Sequence, residues 1–145
     1  MRQYFLFFIT LCAMQLSTAQ TEHALVEKTL QNYINGSSYN QLEMLASAFT
    51  DNATLYLTGR DGSFKRYTPQ EYAGFFKNGE KGKFNGRDGK VLAIEIIKDI
   101  ATAKVEIAGP DRSWVYIDLF LLKKIENEWK IISKTATRVD DNSKK

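Results

Sequence analysis

The sequence predicts an α+β protein in which three helices from the first half pack on one antiparallel sheet from the second. Three observations carry that expectation. Apolar residues recur at three- and four-residue spacing in several segments before Gly79, alternation with a period of two takes over from Lys90, and no repeat or low-complexity linker divides the chain. With 145 residues the chain suits one domain with a single core.

The opening stretch MRQYFLFFITLCAMQLSTAQ places Arg2 before an apolar run from Tyr4 to Met14, then small residues at Ser17 and Ala19. This is the order of a secretory signal peptide, and the run is too short to span a bilayer. Cleavage after Ala19 is expected, so residues 1–19 read as the signal, 20–140 as the domain and 141–145 as a polar tail. A lipoprotein signal is not expected, because Leu11 stands before Cys12 where a small residue would be needed. A buried N-terminal helix is the alternative, but polar residues mark no second face in the run. The expected location is therefore periplasmic or secreted, with no stable membrane insertion after cleavage.

The elements follow in order. Thr21 to Asn35 reads as a helix through Val26, Leu30 and Tyr33, with Gly36 ending it. Asn40 is placed to cap a second helix with Glu43 three residues on, its apolar face being Leu42, Leu45, Ala46 and Phe49. DNATLYLTGRDGSFKRY reads as a hairpin turning within Gly59–Gly62. In TPQEYAGFFKNG, Thr68 caps, Pro69 takes the first turn and Glu71 completes a capping box, with Tyr72, Phe75 and Phe76 facing inward. KNGEKGKFNGRDGK is glycine-rich and basic but lacks phosphate-loop spacing; it reads as a solvated loop over a cavity mouth, with attraction of an anionic ligand as the alternative. Two hairpins complete the chain, turning at Lys98-Asp99 and at Glu126-Asn127.

Composition narrows the chemistry. Cleavage removes Cys12, the single cysteine, and leaves His23 as the single histidine beside the new terminus. A Ser-His-Asp triad, a Cys-His pair and a histidine- or thiolate-based metal site are thereby excluded in practice. Carboxylates, tyrosines and hydroxyls remain. The formal charge of +3 falls to about +2 without Arg2, and no basic stripe with interleaved aromatics argues for nucleic acid.

Asp118 is the residue that demands an explanation, since it interrupts the apolar strand VYIDLFLL. Counting back from Glu126-Asn127 pairs Leu122 with Ile131, Phe120 with Ser133, Asp118 with Thr135 and Tyr116 with Thr137. One face then carries Trp114, Tyr116, Asp118, Phe120, Leu122, Trp129, Thr135 and Thr137. The other carries Val115, Ile117, Leu119 and Leu121 with Lys130, Lys134 and Arg138. The first composition suits a cavity lining and the second the outside of a sheet or a subunit contact. Asp118 is expected to point inward, where it needs donors or a proton. A structural acid bonded to a backbone or hydroxyl group is the alternative, and a one-residue slip would reverse the faces.

The segments YINGSSYNQLEMLASAFTDNATLYLTG and YIDLFLLKKIENEWKIISKTATRV resemble the nuclear transport factor 2-like superfamily, which includes ketosteroid isomerases and SnoaL-like polyketide cyclases. The ending is similar to a subgroup labelled "putative lumazine-binding". The resemblance implies a cone-shaped α+β barrel of the cystatin-like or nuclear transport factor 2-like kind, with a pocket at its open end. Tyr33 stands at the spacing from Ala53-Thr54 that the isomerases' helical tyrosine has, and Asp118 matches their strand acid. Those two groups form the isomerase oxyanion hole, in which the acid stays protonated in an apolar site. The isomerase base position holds Leu57, so that reaction is not expected.

These readings converge on an exported domain, needing neither cofactor nor metal, that binds a small apolar molecule. Tyr33 and Asp118 would be its polar contacts, with Leu57, Phe76, Trp114, Tyr116, Phe120, Thr135 and Thr137 lining the pocket. The alternatives are an isomerase, cyclase or dehydratase using Asp118 as acid/base with Tyr33 assisting, and a non-catalytic dimeric scaffold. A homodimer through the outer sheet face is expected, with a monomer whose sheet is partly covered as the alternative.

Overall fold

The computed structural model describes residues 21–59 and 62–139. The predicted signal peptide and the whole of the polar tail lie outside them. Helix α1 runs over residues 21–38, α2 over Leu42–Ser47 and α3 over Pro69–Ala73, the last continued by a 3-10 turn at Gly74–Phe76. The strands are β1 (Phe49–Thr58), β2 (Phe64–Tyr67), β3 (Asp88–Ile97), β4 (Ile100–Ala108), β5 (Val115–Ile125) and β6 (Glu128–Arg138). They form one sheet in the order β2-β1-β6-β5-β4-β3, antiparallel except where β1 lies parallel to β6. The sheet curves without closing, bent by irregularities in β1, in β3 and between β5 and β6.

α1 buries Val26, Leu30, Tyr33 and Ile34, the face its spacing predicts. Its start is tied to the last hairpin: Trp129 Nε1 and Lys124 Nζ donate to Glu22 at 2.8 and 2.7 Å. Gly36 does not end the helix. A Cβ there would fall 2.5 Å from the Leu45 nitrogen, so the glycine permits close approach of α2 while the helix continues to Ser38.

Asn40 does not cap α2 either. Gln41 takes that position without a side-chain bond, and Asn40, at φ 54°, turns its amide to the carbonyls of Glu80 and Lys83. Phe49 belongs to the start of β1 rather than to the face of α2. The Thr68–Glu71 capping box is present as the sequence implies. Phe75, however, is 56% exposed, because the helix tightens to a 3-10 turn and leaves Tyr72 as the deep member of that stripe.

Both predicted two-residue turns form. Ile97 pairs with Ile100 around Lys98-Asp99, and Glu126 and Asn127 take φ of 49° and 67°, as a type I′ turn requires. Beyond that turn the pairing departs from a simple count. Leu122 faces Ile131, but Leu121 faces Ser133, so Ile132 is an extra residue in β6. Phe120 then faces Lys134, Leu119 faces Thr135, Asp118 faces Ala136 and Ile117 faces Thr137. Lys134 therefore enters the concave side, whereas Thr135 and Thr137 lie exposed on the convex side with Leu119 and Leu121.

Candidate functional site

The concave face carries a buried polar cluster around Asp118. β5 directs this residue inward in register with Phe120 and Leu122, and α1 brings Tyr33 against it. The Tyr33 hydroxyl donates to Asp118 Oδ2 at 2.5 Å. Its ring meets Phe120 and Phe49 edge-on at 4.9 and 6.0 Å between centroids, which holds the hydroxyl in place. On the other oxygen, Lys134 Nζ stands 3.2 Å from Asp118 Oδ1. The ammonium also lies 5.4–5.9 Å from the rings of Tyr72, Tyr33 and Phe120.

Arg87 completes the cluster from the segment leading into β3. That segment is fastened to the end of α1: Asn85 Nδ2 donates to Ser37 O and Asn40 Oδ1, its backbone N–H to Ser38 O, and the Gly82 N–H to Tyr39 O. Arg87 Nε then donates to Ser37 Oγ at 3.0 Å, while Nη2 reaches the Tyr33 and Tyr72 hydroxyls at 2.9 and 3.2 Å. Nη2 is also 4.0 Å from Asp118 Oδ2, and the guanidinium lies over Phe76 at 5.5 Å.

The proton positions follow. Tyr33 spends its one hydrogen on Asp118, so in its 2.9 Å contact with Tyr72 the Tyr72 hydroxyl is the donor. Burial pushes the Tyr33 hydroxyl well above the usual tyrosine pKa, and the neighbouring Asp118 charge adds to this. Tyr33 remains a neutral donor. Burial opposes the Arg87 charge, yet Tyr72, Tyr33 and Asp118 outweigh it and hold the pKa above the ordinary arginine value.

The predicted site residues thus divide. Tyr33, Asp118 and Phe120 stand together, and Phe76 adjoins them beneath Arg87. Trp114 and Tyr116 are half-buried and pack on each other at 5.8 Å near the start of β5. Leu57 is half-buried against the core from β1. Thr135 and Thr137 are removed from the concave face by the Ile132 bulge. Lys134, Arg87 and Tyr72 are the members the sequence reading does not assign to the site. A bulge leaves no mark in the alternation pattern, and Arg87 sits in a glycine-rich stretch whose composition reads as solvated.

The cluster can present hydrogen-bond donors and positive charge to a bound group, but it places no carboxylate at Leu57. Among the described residues no group of three or more His, Cys, Asp or Glu stands together to hold a metal. A separate open cleft of about 420 Å³ lies between β1, β2 and α3, lined by Asp51, Asn52, Arg66, Tyr67 and Glu71 among others. It contains none of the predicted site residues.

Solved structures share this architecture. An NTF2-like protein of unknown function from Shewanella baltica is 19% identical with a TM-score of 0.72, over 83% of this chain and 96% of that one. A domain of unknown function with a cystatin-like fold from Nostoc punctiforme is 17% identical with a TM-score of 0.64, over 84% and 80%. A ketosteroid isomerase-like protein from Erwinia carotovora atroseptica is 16% identical with a TM-score of 0.60, over 81% and 96%. These likenesses establish the fold. No curated protein matches the chain. The family described as "Putative lumazine-binding" matches residues 21–136, which spans both α1 with Tyr33 and β6 with Lys134. The chain belongs to that family, and its fold is that of the NTF2-like structures.

Proposed function

We propose that the protein is an exported domain that binds a small, largely apolar molecule at the concave face of its sheet. The observation that supports this best is the Tyr33–Asp118 hydrogen bond, buried among Phe49, Phe120 and Tyr72 and backed by Lys134 and Arg87. Apolar and aromatic walls with a few converging polar groups are the usual make-up of a small-molecule site. The family's description names lumazine, a planar bicyclic compound with ring carbonyls, and a flat ligand of that shape suits aromatic walls with hydroxyl and guanidinium donors. Leu119 and Leu121, 48% and 41% exposed on the convex face, support a homodimer formed through that face.

The acid/base reading fits less well. Both oxygens of Asp118 are engaged, one by Tyr33 and one by Lys134, and the isomerase base position holds an aliphatic side chain. A thermal-shift screen of flat aromatic and polycyclic compounds, lumazine included, tests the binding reading. A ligand should raise the melting temperature of the wild type in a concentration-dependent way. If no compound shifts the wild type, the reading fails. Export is tested separately by mass spectrometry of the protein expressed with its full N-terminus in a bacterial host, where the mature chain should begin at Gln20.

A further inference from the structure

We infer that the ligand of this site carries an anionic oxygen group, a carboxylate or an ionised enol or phenol, which is received by Arg87. The inference rests on the binding reading above and specifies the chemical class of ligand.

The charges around Asp118 do not balance. Two cationic side chains, Arg87 and Lys134, converge on one carboxylate, whose two oxygens are taken by Lys134 and Tyr33. Arg87 is 4.0 Å from that carboxylate and holds only hydroxyl partners, those of Ser37, Tyr33 and Tyr72. Among the described residues no acceptor takes its Nη1 hydrogens. A guanidinium cannot relieve the imbalance by losing its proton at any ordinary pH. The Phe76 and Tyr33 rings offset part of its desolvation by cation–π attraction, but they supply no negative charge.

Position adds to charge. The Lys134 and Asp118 side chains are both 2% exposed, whereas that of Arg87 is 14% exposed, so Arg87 is where the cluster reaches solvent. An incoming anion meets Arg87 first, without displacing the Asp118–Lys134 pair. Phe76 lies under the guanidinium and offers an apolar surface to the rest of the molecule. Tyr72 can turn its hydroxyl hydrogen from Tyr33 to the ligand, since Tyr33 keeps Arg87 as a donor. Charge-assisted bonds from a guanidinium to a carboxylate are among the strongest polar contacts available, so the anion should be distinguished clearly from its neutral isostere.

The test uses matched acids and amides of flat one- and two-ring aromatics, with 2-naphthoate and 2-naphthamide as the reference pair, read by thermal shift and by tryptophan fluorescence. The wild type should bind the acids about tenfold or more tightly than the amides. Arg87→Gln should abolish the preference, and Arg87→Lys, which keeps the charge and guards against a folding defect, should retain part of it. Amides binding the wild type as tightly as acids would overturn the anion inference and leave the binding reading intact. An acid preference that persists undiminished in Arg87→Gln would overturn the assignment to Arg87. No shift with either class would overturn the anion inference and the binding reading together.

Discussion

The Asp118 carboxylate meets the Lys134 ammonium at 3.2 Å with both side chains 2% exposed, and Ile132 is the reason they meet. One extra residue in β6 turns Lys134 from the convex to the concave side. There it takes the oxygen of Asp118 that Tyr33 does not, and joins Arg87 in facing the buried carboxylate.

That pair predicts an asymmetry between its two halves. Asp118→Leu leaves Lys134 and Arg87 facing each other without a counter-charge and should cost about 3–5 kcal/mol. Lys134→Met leaves Asp118 with Tyr33 and Arg87 and should cost clearly less. The double variant should recover part of the Asp118→Leu loss. Urea denaturation of the three variants decides this, and an equal or larger loss for Lys134→Met would contradict the charge arrangement.

The bulged register makes a second prediction. Thr135→Lys and Thr137→Lys place charge on the exposed convex side and should change the stability of the monomer by no more than about 0.5 kcal/mol. With the unbulged pairing the same substitutions would put lysines beside Asp118 and among the aromatics, at a cost several times larger. Denaturation midpoints of the two variants distinguish the registers.

A third prediction concerns Tyr33 at high pH. Its folded pKa lies above the unfolded value of about 10, so its contribution is complete below that pH. As pH rises past 10 the unfolded chain releases this proton while the folded chain retains it, and stability falls until the folded pKa is reached. Stability measured from pH 8 to 11 should therefore decline more steeply in the wild type than in Tyr33→Phe. At neutral pH Tyr33→Phe should itself cost about 1–3 kcal/mol, because Asp118 Oδ2 loses its donor.

Gly36 supplies a fourth. In an open helix interior, glycine to alanine would gain about 1 kcal/mol. Here the new Cβ would stand 2.5 Å from the Leu45 backbone, so Gly36→Ala should instead destabilise by about 1–3 kcal/mol as α2 is pushed away. A thermal melt showing stabilisation would mean that α1 and α2 are not in close contact.

Local pattern alone was enough to establish the helices, the two tight turns, and the inward direction of Tyr33. The tyrosine follows from helical spacing with Val26 and Leu30. The aspartate's place on one face with Phe120 and Leu122 follows from alternation along β5, which a bulge in β6 does not alter. The choice of that face as the inner one, however, rests in part on putting Lys134 outside, which the bulge reverses. The partner of Asp118 was not legible. Past Ile132 every residue of β6 changes face, so Lys134 and Thr135 exchange places, and whether a strand bulges depends on what the opposite strand and the core require. Arg87 was hidden for a related reason. Its place comes from hydrogen bonds between Asn40, Asn85 and the end of α1, residues about 40 to 50 positions apart, which no short-range pattern encodes. Periodicity reports which way a side chain leaves its own element, whereas the charges it meets there are set by long-range packing.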